Sequence, residues 1–354
     1  MTIDIGQILG IMVKKRASDL HLVTPSPPVL RIRGILHPIE SFPAVLSQDT
    51  ASILGELTNQ EQRLRFQSER ELDFAYVHPG VGRFRVNACR QRGSISLVFR
   101  LINENAPLIK ELRLPPVCQE LALRPRGLIL ITGPTGSGKS TTLAAMVEYL
   151  NQNVARRVIT IEDPIEFIYT NKNCVISQRE VGEDTRSFAA ALRHVLRQNP
   201  DVILVGEMRD GDTAAAALTA AETGHLVLTT GHAPSADQAI ERVIDLFPPY
   251  QQTQIRSQLA SVVEGVLCQV LVPLKETQGI VPAVEIMLAN PAVRNLIREG
   301  KIFQLPNVIR TCSDTGMQTL DRALAELFRA GLISKKDALT RCRNPEELEL
   351  LIRG

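Results

Sequence analysis

One nine-residue stretch constrains this chain more than anything else in it: Gly133, Pro134, Thr135, Gly136, Ser137, Gly138, Lys139 and Ser140, followed by Thr141. Its first eight residues fit G-x-x-x-x-G-K-[ST] with no mismatch. A phosphate needs a loop whose backbone N–H groups all point inward, and glycines permit that curl. The apolar run Leu128 to Thr132 precedes the loop, and Lys139 opens a helical stretch behind it. The N-terminus of that helix adds attraction for an anion. Lys139 is therefore expected to reach the β- and γ-phosphates, and Ser140 to ligate Mg2+. The guanine-reading N-K-x-D box is not matched, because Cys174 follows Asn171-Lys172-Asn173 where Asp is required. The expected ligands are ATP and Mg2+, held by Gly133 to Thr141.

Short apolar runs recur after Gly127, at Leu128 to Thr132, Val158 to Ile161, Val202 to Val205 and Leu226 to Thr229, with helical stretches between them. Continuous apolar strands of this kind indicate a parallel sheet buried on both faces, hence an α/β domain. Beyond Pro282 the pattern is mostly helical. The region from Pro28 to Ile102 reads differently. Val29 to Leu36, through Arg33, reads as a hairpin, and Asp73 to Val77, Arg83 to Cys89 and Ser94 to Arg100 read as three more strands. Helices are expected near Ile5 to Arg16 and after Ser47. Prolines 107, 115, 116 and 125 mark a linker with a short helix near Val117 to Ala122. The expected organisation is an antiparallel α+β domain over 1–102, a linker over 103–126, and an α/β domain with C-terminal helices over 127–354.

A phosphate loop needs acids from neighbouring strands. Glu162 follows Val158 to Ile161, and Glu207 follows Val202 to Val205 and Gly206. In a parallel sheet both strand ends lie on the phosphate edge. Glu162 is the expected residue for orienting and activating the attacking water, and Glu207 the expected support for Mg2+ through water. Asp163 and Glu166 read as surface charges. His232 falls past the end of the fourth strand, where a γ-phosphate sensor would sit; His225 at the other end reads as structural. Arg83 and Arg85 share a strand face because they are two residues apart.

Composition bounds the alternatives. The formal net charge of 354 residues is +2, which argues against a protein that coats nucleic acid. No CxxC pair occurs among the six cysteines, and scattered single thiols fit a reduced cytosolic setting. The first fifteen residues lack the pattern of a secretory signal, and no apolar run reaches the roughly 20 residues that span a bilayer. A cytoplasmic protein is expected, with any membrane association coming through partners.

Taken together the motifs resemble the PilT-type pilus retraction ATPases, a branch of the secretion ATPase superfamily. The resemblance is carried by Ala17-Ser18-Asp19-Leu20-His21-Leu22, by Ile161-Glu162-Asp163-Pro164-Ile165-Glu166, by Val205-Gly206-Glu207-Met208-Arg209-Asp210 and by Gly316-Met317-Gln318-Thr319-Leu320-Asp321. It implies a PAS-like N-terminal domain and a RecA-like ATPase domain, assembled as a homo-hexameric ring that depolymerises a type IV pilus. It further implies an inner-membrane platform protein as partner, a place at the inner face of the cytoplasmic membrane, and Arg85 and Arg100 as fingers reaching a neighbour's nucleotide. The His box departs from T-L-H-T-N, reading Thr230-Gly231-His232-Ala233-Pro234, and the retraction motif keeps Ile297-Arg298-Glu299-Gly300-Lys301. The four-cysteine insert and longer N-terminus of pilus assembly ATPases are not matched. Alternatives are an accessory retraction ATPase, a type II secretion-like motor and, from another class, a nucleic-acid translocase of RecA-like fold, which near-neutral charge disfavours.

Overall fold

The computed structural model describes residues 3–32, 34–102, 105–276 and 279–353. Arg33 of the expected hairpin, and residues 103 and 104 at the start of the expected linker, lie outside the described residues. The chain divides into two compact units, 1–105 with 166–168, and 106–165 with 169–354.

The first unit runs α1 (Ile5–Lys14), β1 (Asp19–Leu22), β2 (Val29–Ile32), β3 (Ile35–Pro38), α2 (Ser47–Leu57), α3 (Gln60–Glu69), β4 (Glu71–His78), β5 (Gly82–Gln91) and β6 (Ser94–Ile102). Asp4 caps α1 by accepting from the Gly6 and Gln7 amides, and Ile5, Ile8, Leu9 and Met12 bury one helical stripe. The helix ends before Arg16, which takes a left-handed φ of 51°. The six strands form an antiparallel sheet in the order β3-β2-β1-β6-β5-β4. Alternation sorts its faces: Phe84, Val86 and Ala88 of β5 are buried in the core with Leu97, Phe99 and the α1 stripe, which leaves Arg83 and Arg85 on the opposite face.

The second unit runs α4 (Val117–Ala122), β7 (Gly127–Thr132), α5 (Lys139–Asn153), β8 (Arg157–Glu162), β9 (Val175–Glu180), α6 (Phe188–Val195), β10 (Val202–Val205), α7 (Gly211–Glu222), β11 (Leu226–Thr230), α8 (Ala236–Asp245), α9 (Pro249–Val262), β12 (Val263–Pro273) and β13 (Ile280–Leu288). It ends with α10 (Pro291–Arg298), α11 (Leu305–Thr311), α12 (Leu320–Arg329), α13 (Lys335–Arg341) and α14 (Pro345–Arg353). Its sheet has the order β13-β12-β7-β11-β10-β8-β9, parallel throughout except for β13 against β12. The four apolar runs of the sequence form its centre, and every residue of β7, β10 and β11 is buried. The short helix α4 packs with Ile129, Ile131 and Met146, so this stretch of the expected linker lies in the core of the second unit.

Two departures from the sequence reading have physical causes. Pro282 lies inside β13, and the helical stretch starts only at Pro291. Proline has no N–H to give, and β13 tolerates it because it is an edge strand. The strand β12 does not stand out in the sequence because Glu264, Gly265 and Gln269 interrupt its apolar run.

The Gly316-to-Asp321 signature docks the last helices. Gln318 pairs with Ile286 of β13, and its Nε2 donates to the Val284 carbonyl at 2.8 Å. Asp321, 4% exposed, accepts from the backbone N–H groups of Arg343 at 2.7 Å and Asn344 at 2.9 Å. Asp321→Ala strands both donors, at a cost of about 1–3 kcal/mol. The urea midpoint read by far-UV circular dichroism is expected to fall accordingly, with Asp321→Asn recovering part of the loss. An unchanged midpoint would show that water replaces the carboxylate.

Candidate active site

The phosphate loop hangs from the C-terminal end of β7, between two parallel neighbours, β12 and β11. Gly133 has φ 142°, and a Cβ there would lie 2.3 Å from the Gln269 carbonyl oxygen of β12. Only glycine lets the loop turn against that backbone. Gly138, at φ 85°, caps α5, which then runs for 15 residues with Lys139 in its first turn. Lys139 is buried and donates to the Gly133 and Pro134 carbonyls at 3.0 Å each. Pro134, Thr135, Gly136 and Ser140 are exposed, and Thr141 is half-buried. The Ser137 hydroxyl is buried with no hydrogen-bond partner. A concave glycine loop, a lysine folded over it and an unmet hydroxyl suit a nucleoside phosphate.

A residue that the sequence did not single out holds this loop. Gln269, 2% exposed on β12, accepts from Thr142 Oγ1 at 2.8 Å and donates to the Ser137 carbonyl at 2.6 Å. Its amide clamps the loop and the first turn of α5 to the adjacent strand. Glutamine in an apolar strand was the available signal, since a buried amide needs partners.

The predicted acids and histidine all come to the edge where β7 ends. Glu162, the last residue of β8, accepts from Thr160 Oγ1 at 2.7 Å and Gln178 Nε2 at 3.3 Å. Glu207 follows β10, and its two oxygens face different partners: Nε2 of His232 at 3.0 Å and Nε of Arg209 at 2.7 Å. Glu207, Arg209 and His232, with Thr132, Thr230, Gly231 and Arg242, line a cavity of about 120 Å3. His232 is thus joined to the acid of the neighbouring strand. The Thr132 hydroxyl at the end of β7 donates to the Ala233 carbonyl at 2.9 Å and accepts from the Ala233 N–H at 2.7 Å. The His232 loop and the phosphate loop therefore share an anchor. Asp163 is drawn in only at 4.0 Å from Arg209, and His225 turns to the Ala220 carbonyl at the opposite end of β11.

In the first unit, Arg85 and Arg100 stand directly opposite each other across β5 and β6. Arg100 Nε donates to Asp19 at 2.9 Å, Arg31 lies 3.9 Å from the same carboxylate, and Arg85 lies 3.5 Å from Asp73. Asp19 is buried while Arg100 is largely exposed, so the carboxylate steers a guanidinium whose head remains in solvent. This gives Asp19 of the Ala17-to-Leu22 signature a role that sequence alone did not supply.

The profile of the family described as Type II/IV secretion system protein matches residues 2–319. The chain is 46% identical over 343 residues to the type IV pilus retraction ATPase PilT of Pseudomonas aeruginosa, covering 97% of this chain and 99% of that protein. It is 41% identical over 347 residues to the type IV pilus ATPase PilU of the same organism, covering 98% and 91%. It also matches the crystal structure of the pilus retraction motor PilT with bound ADP, at a TM-score of 0.92 and 43% identity, covering 98% of this chain and 99% of that one.

Gln269→Leu preserves volume but removes both hydrogen bonds. Affinity for a fluorescent ADP analogue, read by titration, is expected to weaken by about tenfold, the size of a lost hydrogen bond pair at a preorganised site. Unchanged affinity would show that the glycines and β7 alone shape the cradle.

Proposed function

Because the chain belongs to the type II/IV secretion system protein family, we propose that it is the ATPase motor that retracts a type IV pilus. The observation that supports this best is the convergence of the phosphate loop, Glu162, Glu207 and His232 on one edge of a parallel sheet, in a chain similar over 97% of its length to a retraction ATPase.

The loop amides and the α5 N-terminus receive the β- and γ-phosphates of ATP, and Lys139 turns from its own loop carbonyls to the transferred group. Ser140, exposed in the first turn of α5, would hold Mg2+, with Glu207 supporting it through water. Bound there, the ion would supply positive charge against that growing on the phosphoryl group. Among the described residues no three His, Cys, Asp or Glu side chains converge on a metal position, and Mg2+ that shares a site with substrate phosphates would need no such cage. Glu162 takes the proton of the attacking water, with Thr160 and Gln178 fixing its carboxylate. His232, held on Glu207, faces the departing phosphate and reports its presence to the loop.

Assembly completes the site in this reading. Six copies form a ring by repeating one head-to-tail contact, and each copy's Arg85 and Arg100 serve a neighbour's nucleotide. Among the described residues no helix is long and apolar enough to cross a membrane. The motor works at the cytoplasmic face of the inner membrane through a platform protein. The coupling segment is 297–301, at the end of α10 and just beyond it, where Ile297 is buried while Arg298 and Lys301 stay exposed. A second reading is an accessory retraction ATPase, and similarity to the type IV pilus ATPase PilU is compatible with both readings. Loss of twitching with excess surface pili on gene deletion fits the main motor, and bald cells would overturn retraction.

Two biochemical outcomes are expected. Glu162→Gln is expected to bind ATP normally and to lose hydrolysis by roughly 100-fold or more, the range for a positioned general base. Joint loss of binding would make Glu162 structural. Arg100→Ala is expected to assemble and bind ATP yet hydrolyse it poorly, because a finger adds about 1,000-fold or more. Mixing it with Glu162→Gln is expected to restore part of the turnover at interfaces that pair intact Glu162 with intact Arg100. No recovery on mixing would show that each subunit works alone.

A further inference from the structure

The loop after β11 is gripped by side chains from several elements. The His232 carbonyl accepts from Arg242 Nη1 of α8 at 2.7 Å. The Ala233 carbonyl accepts from Thr132 of β7 at 2.9 Å. The Pro234 carbonyl accepts from Arg343 Nη2 at 2.7 Å and from the Cys268 thiol of β12 at 2.8 Å. Burial pushes that thiol up to about 12, so it stays a protonated donor. Two residues on, the Ala236 N–H donates to Glu285 of β13 at 2.8 Å.

Arg343 is the unexpected member. It sits 109 residues further along the chain, between α13 and α14. Its guanidinium meets both oxygens of Glu285, one at 2.9 Å, and then reaches Pro234. Glu285 is 2% exposed, so a charged carboxylate there requires this partner. Asp321 fixes the Arg343 backbone from α12, and Asp321 belongs to the Gly316-to-Asp321 signature. A continuous chain of contacts thus runs from the C-terminal helices through Arg343 and Glu285 to the carbonyl two residues beyond His232.

We propose that Arg343 is a positioning residue for ATP hydrolysis, holding the His232 loop against Glu207 and making that register depend on how the C-terminal helices are seated. The proposal rests on the reading of His232 as the γ-phosphate sensor. Rotation of the 232–236 segment by a small amount carries the imidazole away from Glu207, and a misplacement of about 1 Å can cost about 100-fold in rate. Arg343 removes that freedom at the segment's far end, as Thr132 removes it in the middle.

The test is steady-state ATPase kinetics on the full-length assembled protein, using Arg343→Ala, Arg343→Lys, Glu285→Gln, His232→Ala and the double variant His232→Ala/Arg343→Ala. Arg343→Ala is expected to lower kcat by about 10- to 100-fold with KM for ATP nearly unchanged. Arg343→Lys restores a charge beside Glu285 but not the fork, and is expected to recover part of kcat. The double variant is expected to be no slower than His232→Ala, because both changes remove the same contribution. Multiplying effects, or a joint fall of kcat and KM that tracks the loss of melting temperature, would make Arg343 purely structural. If Arg343→Ala does not fold, Arg343→Lys and Glu285→Gln carry the same comparison, and wild-type kcat in both overturns the proposal. Wild-type kcat in His232→Ala would instead overturn the sensor reading, while a slow His232→Ala beside a normal Arg343→Ala would overturn the latch alone.

Discussion

The position of β7 between β12 and β11 is the constraint on which the rest of this molecule depends. A phosphate loop is useful only when its backbone is fixed, because its ligands are amides that cannot be steered by rotamers. Parallel hydrogen bonding on both sides fixes the strand, and the reciprocal bonds of Thr132 with Ala233 and the amide of Gln269 fix the loop that leaves it. The same parallel register brings the ends of β8 and β10 to the edge where the loop begins. The acids reach the phosphate side because their strands run in that direction, and not through any long-range attraction.

Much of this was legible in the amino-acid order, and the parts that were not share a cause. The octapeptide at Gly133 announced itself because its chemistry needs consecutive residues. The four central strands announced themselves because burial on both faces leaves unbroken apolar runs. The strand β12 carries a glutamine, a glutamate and a glycine for packing reasons, so its periodicity was obscured. The side chains of Gln269, Glu285 and Arg343 act through partners 49 to 132 residues away, and single-sequence spacing holds no record of such pairings. Asp19 lay inside a quoted signature, but its bond to Arg100 spans 81 residues and depends on how β1 pairs with β6.

Charges are distributed by a consistent logic. Exposed ion pairs such as Arg65 with Glu69 contribute little, because water competes for both partners. The informative pairs are those in which one partner is sheltered: Asp19 beneath Arg100, Glu285 beneath Arg343, Glu207 beneath His232 and Arg209. In each, a carboxylate turned away from solvent fixes where a cationic or imidazole head can point. The arrangement costs desolvation and returns direction, which a site handling a polyanion requires.

The absent side chain at Gly133 has a mechanical consequence. Because nothing separates that residue from the Gln269 carbonyl, two main chains touch directly, the phosphate loop and β12. Strand β12 continues into β13, and the helices from α10 onward come after β13 along the chain. A side-chain contact would absorb a small displacement by changing rotamer, whereas a main-chain contact transmits it. A displacement of β12 therefore cannot be taken up by a rotamer change at Gly133 and moves the phosphate loop with it.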